Sequence, residues 1–134
     1  MFEVIRVVHF CYGHRLLHYP GKCRHLHGHN ARAEIVIRAK KLDPMGMVLD
    51  FDEIKKNIQR WVNREMDHRT LLNRKDPLAK VLKSMGEPCL LLDENPTAEN
   101  IAKKIFRHAR SQKLPVAEVR FWETPRSFAV YKSG

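Results

Sequence analysis

Residues 21–30, GKCRHLHGHN, put one cysteine and three histidines within ten positions of a chain that has three cysteines and eight histidines in all. His27 and His29 are separated by one residue, Gly28. In extended backbone, residues i and i+2 project to the same face, roughly 7 Å apart at Cα. Two imidazoles placed this way can converge on one metal ion, and the glycine leaves room between them. Neutral imidazole suits zinc, and catalytic zinc sites often use three protein ligands plus an open position. Spacing does not select the third ligand: His9, His14, His18, His25 and Cys23 are all candidates. As the third ligand, Cys23 would complete a Cys-x3-His-x-His cluster. Free of the metal, it would be a reactive thiol beside it. Ordinary hydrogen-bonded histidines would account for the same pattern with no ion at all.

These residues need elements to position them. Residues 2–10 alternate and are rich in Val and Ile, which predicts a strand. Gly13, Pro20 and Gly21 punctuate residues 11–26 as a loop. From His29 to Ala39 alternation returns, with Ala31, Ala33, Ile35 and Ile37 on one side and Arg32, Glu34 and Arg38 on the other. A turn follows at Asp43-Pro44 and Gly46. Asp50 and Glu53 form a capping box for an amphipathic helix over 51–66, whose apolar face is Phe51, Ile54, Ile58, Trp61, Val62 and Met66. Residues 67–96 are less regular, with a short apolar run at Cys89–Leu92. Thr97 caps a second helix that ends before Pro115. Strands over 116–123 and 127–132 are joined by a tight turn at Thr124-Pro125-Arg126. The order β-β-α-α-β-β predicts an α+β domain spanning 1–134, an antiparallel sheet with two helices on one face. Its open edges favour oligomerisation through the sheet.

Composition narrows the function classes. The net charge of +10, from 25 basic and 15 acidic residues, favours an anionic partner. The basic residues are scattered in singles and pairs, without the block or stripe of a nucleic-acid arm, so a phosphorylated small molecule is preferred over nucleic acid. No apolar run reaches the roughly 20 residues of a membrane span. Three widely spaced cysteines argue against a disulfide framework and for a reducing compartment, the cytoplasm.

Taken together, several segments resemble the 6-pyruvoyl-tetrahydropterin synthase / 6-carboxytetrahydropterin synthase family. They are FCYGHRL at 10–16, GKCRHLHGHN at 21–30, GMVLDF at 46–51, Asp67-His68 with Leu71-Leu72-Asn73, NPTAENIA at 95–102 and WET at 122–124. Their order and spacing carry the resemblance over nearly the whole chain. It implies the tunnelling fold, in which trimers close their sheets into a barrel and two trimers stack into a hexamer, with active sites where subunits meet. It implies His14, His27 and His29 as ligands of a Zn2+ ion and releases Cys23 for chemistry as the general base. Lys22, Arg24 and the nearby metal favour its thiolate. Asp67 and His68 complete the implied catalytic group, with Asp67 orienting His68. Glu123 is the implied pterin anchor, and Thr97 an implied second pterin contact beside its capping role. Cys11 and Cys89 are expected to be packing residues.

The substrate the resemblance implies is 7,8-dihydroneopterin triphosphate. Cys23 stands four residues before His27, a short spacing that resembles the bacterial carboxy enzyme, which releases acetaldehyde as well as triphosphate. The alternatives are the pyruvoyl enzyme, which only eliminates triphosphate, and a non-catalytic zinc-stabilised binding module. Two features depart from the family pattern. Cys11 and Tyr12 stand before the implied zinc histidine where many members have smaller or different residues, Tyr12 being bulky enough to reshape the pocket, and residues 69–96 are basic and long.

Overall fold

Alternation near the N-terminus builds two long strands. In the computed structural model, which describes residues 1–134, β1 (Phe2–His14) and β2 (His27–Ala39) pair antiparallel, from Phe2 opposite Ala39 to His14 opposite His27. β5 (Val116–Thr124) pairs antiparallel with β2, and β6 (Ser127–Lys132) with β5. On the other edge of β1, β3 (Arg69–Asn73) and then β4 (Cys89–Leu92) add in parallel, giving the order β4-β3-β1-β2-β5-β6.

The predicted first helix is α1 (Phe51–Ile54), a π turn (Lys55–Gln59) and α2 (Arg60–Glu65) in direct succession. Asp50 caps it by accepting the Asp52 N–H, 2.9 Å away. A short helix, α3 (Leu78–Ser84), and a long one, α4 (Ala98–Ser111), follow. Thr97 caps α4 by accepting the Asn100 N–H at 3.1 Å. The apolar faces of the long helices, among them Ile54, Ile58, Val62, Ile101 and Ile105, share one buried cluster with Val8, Phe10, Ile35 and Phe121 of the sheet. Trp61 stacks on His108 at 4.1 Å, and His108 Nε2 donates to the Asn57 carbonyl inside the π turn at 2.9 Å, which ties the two long helices together.

The α+β class stands, with two corrections. The sheet is mixed rather than purely antiparallel, because the segment 67–96 supplies β3, β4 and the additional helix α3. Its strands read as unbroken apolar runs, Leu71-Leu72 and Leu90–Leu92, too short to carry an alternation. The loop expected from residue 11 also starts later. β1 continues through Cys11–His14, with Tyr12 and His14 buried on the core side. A glycine at 13 and a histidine at a buried position concealed that alternation.

Candidate active site

The last turn of the β1–β2 ladder brings three histidines to one face. His14 lies opposite His27, and His29 opposite Tyr12. The three ring centroids are 4.6, 5.0 and 5.0 Å apart, and the three histidines offer nitrogens all within 4.8 Å of one another. Strand proximity matters here: a Cβ on Gly28 would lie 3.0 Å from the Tyr12 carbonyl oxygen, so glycine lets β2 sit tight against β1.

Hydrogen bonds to carbonyls fix two of the rings. His14 Nδ1 lies 2.7 Å from the Pro96 carbonyl oxygen, and His27 Nδ1 lies 2.7 Å from that of His25. A carbonyl only accepts, so each Nδ1 carries the proton and donates. In the neutral ring the opposite nitrogen, Nε2, then holds a free lone pair. Burial pushes the His14 and His29 pKa values down, against the pull of Glu123, which favours neutral rings. His14 Nε2 and His29 Nε2 are buried with no hydrogen-bond partner. Buried unpaired acceptors are costly, and a cation resolves the cost. Imidazoles held at Nδ1 by a carbonyl, with Nε2 aimed at a common point, suit zinc. The donor set fits the metal that the sequence resemblance implies.

Glu123 stands beside this cluster. Its Oε1 is 3.4 Å from His14 Nε2 and 3.7 Å from His29 Nε2. The Tyr12 hydroxyl donates to the same oxygen at 3.4 Å. Burial, then the charge and hydrogen bond of Glu123, push the Tyr12 hydroxyl far up, so it remains a neutral donor. A hollow of about 430 Å³ opens next to Glu123, lined in part by Ala98, Glu99 and Phe128.

Asp67 and His68 form a separate group at the far edge of β1. His68 adopts φ 58°, a left-handed turn between α2 and β3. That turn sends its N–H to the Cys11 carbonyl at 2.8 Å and its Nδ1 to Asp67 Oδ2 at 2.9 Å. Asp67 Oδ1 accepts the Cys11 N–H at 3.1 Å. Burial opposes the charged form of Asp67, but the hydrogen bonds from His68 and Cys11 hold its pKa below the usual carboxylate value. The ring of His68 is 78% exposed, free to meet a substrate. A groove of about 490 Å³ runs from His68 past Gly13 to His27 and His29.

Of the eight predicted site residues, His14, His27 and His29 come together with Glu123 alongside, and Asp67 pairs with His68. Thr97 sits at the head of α4, next to the Pro96 carbonyl that holds His14. Cys23 lies on a single 3-10 turn, Lys22–Arg24, and is not among the donors gathered around Asp67 and His68. Cys11 is there instead, its sulfur within 4.8 Å of both partners' ligand atoms, where only packing was expected. The orienting carbonyls of Pro96 and His25 were also missed, because backbone groups leave no trace in residue type.

The sequence profile described as 6-pyruvoyl tetrahydropterin synthase matches residues 3–134. A 6-carboxy-5,6,7,8-tetrahydropterin synthase of Rickettsia bellii is 38% identical, covering 96% of this chain and 98% of its own. That of Haemophilus influenzae is 29% identical over 98% of this chain and 99% of its own. Among solved structures, the Caenorhabditis elegans 6-pyruvoyl tetrahydropterin synthase superposes with a TM-score of 0.74 at 26% identity, over 99% of this chain and 96% of its own. An uncharacterized protein of Wolinella succinogenes shares the fold, with a TM-score of 0.83 at 23% identity over 99% and 98% of the two chains.

Proposed function

The chain belongs to the 6-pyruvoyl tetrahydropterin synthase family, and from that premise we propose that it is a zinc-dependent lyase that converts 7,8-dihydroneopterin triphosphate and water into 6-carboxy-5,6,7,8-tetrahydropterin, acetaldehyde and triphosphate. The observation that carries this reading is the convergence of His14, His27 and His29 with Glu123 at their side. Zinc held by the three histidines supplies Lewis-acid stabilisation of the negative charge that develops on the substrate's side-chain oxygens. Glu123 accepts the paired N–H donors on the 2-amino and N3 edge of the pterin, and the hollow beside Phe128 suits a flat ring. Thr97, at the head of α4, flanks that ring. Cys23 takes a proton from the side chain. His68, oriented at Nδ1 by Asp67, exchanges protons through Nε2. Basic side chains at the mouth hold the triphosphate.

Cys23 stands apart from Asp67 and His68 within one chain. In this reading the thiol therefore reaches a dyad belonging to another subunit, in the hexamer of two trimers that the resemblance implies. Three cysteines without a disulfide suit the cytoplasm. The experiment is metal depletion. Chelator-stripped protein should lose turnover and regain it with about one zinc per subunit, while His29→Ala should hold no zinc and stay inactive. Full turnover by the stripped protein would refute the reading.

A further inference from the structure

We propose that Glu123 is a fourth, displaceable donor at the metal position, and that an arriving pterin ring removes it. The inference rests on the three-histidine metal reading above. Four nitrogen and oxygen donors held about 2.0–2.1 Å from one zinc stand roughly 3.4 Å from each other. Glu123 Oε1 lies 3.4 and 3.7 Å from two of the three histidine donors. That is the separation of neighbouring ligands.

The hydrogen-bond arrangement supports the same role. His14 donates from Nδ1 to Pro96, so its Nε2 turns a lone pair toward a carboxylate oxygen. Two lone pairs face each other comfortably only with a cation between them. Tyr12 donates to Oε1 and occupies one of its two lone pairs, leaving the other for the metal. The β5–β6 register shifts between Trp122 and Thr124, at Glu123 itself. Such irregularities re-aim a side chain next to a site.

The same lone-pair limit makes the carboxylate a switch. A pterin edge with two parallel donors needs both carboxylate oxygens. With Tyr12 still donating to Oε1, nothing remains on that oxygen for the metal. Pterin recognition therefore opens a coordination position at the moment the substrate's own side chain can fill it. Without a pterin, Glu123 keeps solvent and stray ligands away. Tyr12 is a positioning residue that holds Oε1 in place for both partners.

Cobalt replacing zinc gives a visible spectrum that reports new ligands, and imidazole serves as a neutral probe. Imidazole should perturb the spectrum of cobalt-loaded Glu123→Gln at about tenfold lower concentration than that of the unaltered protein. A pterin with no side chain should sensitise the unaltered protein to imidazole and leave Glu123→Gln unchanged. Glu123→Ala, which removes the side chain's bulk as well, should follow Glu123→Gln. Equal imidazole titrations in cobalt-loaded Glu123→Gln and unaltered protein would overturn the fourth-donor role while leaving the three-histidine site intact. Failure of the unaltered protein to take up cobalt would overturn the metal reading, and this inference with it.

Discussion

A carbonyl oxygen cannot donate, and that constraint assigns the protons at His14 and His27 and turns their Nε2 atoms toward one point. At this scale the roles separate by substitution. Cys23→Ala should keep its zinc and lose about 10²–10⁴-fold in kcat, because a proton-transfer group is gone while the ligands remain. Metal analysis beside kinetics checks this, and loss of zinc would instead make Cys23 a ligand of a closed, structural site. The His27–His29 pair was legible because residues i and i+2 of extended backbone share a face. The third ligand was not legible from spacing: the strand partner that brings His14 opposite His27 lies 13 residues earlier and is chosen by β-pairing. Only the family resemblance pointed to it. Cys11 was misjudged because its contacts with Asp67 and His68 run partly through its own N–H and carbonyl.

Two elements hold the metal-site end of β1. Just past His14, Arg15 makes a bidentate pair with buried Asp76 at 2.8 and 2.5 Å, and Asp76 also accepts the Leu78 N–H at the start of α3. The hydrogen bond from Arg15 holds the Asp76 pKa below the usual carboxylate value. Asp76→Asn should cost about 2–3 kcal/mol in urea denaturation, since it leaves a partly buried guanidinium without its charge partner. The native pKa lies below the unfolded value of about 3.9, so this stabilisation is complete well above that pH and is lost as pH falls through the native pKa. The unaltered protein should therefore lose more stability between about pH 5 and pH 3 than Asp76→Asn does. Thr97→Ala should cost about 1 kcal/mol through its lost cap, with Thr97→Ser close to the unaltered protein. A rise in KM in Thr97→Ala beyond that stability effect would mark the pterin contact. Helix α4 was legible because a capping threonine and a 3.6-residue apolar period agree. β3, β4 and α3 were not, because short runs of leucine carry no period and their pairing depends on β1.

The whole subunit is a six-stranded sheet that ends at β4 on one side and β6 on the other, with nothing within the chain to pair either edge. Exposed edges recruit partners, and a closed ring of subunits removes them. A hexamer by sedimentation, with active sites shared between copies, is expected. Co-expressing Cys23→Ala with His68→Ala, each inactive alone, should then restore turnover in mixed oligomers, while sites contained within single subunits would stay silent. The α+β architecture was legible from two pairs of alternating strands around two amphipathic helices. The most direct measurement of the central claim is the identity of the product. Zinc-loaded protein, incubated anaerobically with 7,8-dihydroneopterin triphosphate and analysed by mass, should yield 6-carboxy-5,6,7,8-tetrahydropterin together with acetaldehyde and triphosphate. A 6-pyruvoyl product without acetaldehyde, or unchanged substrate, would contradict it.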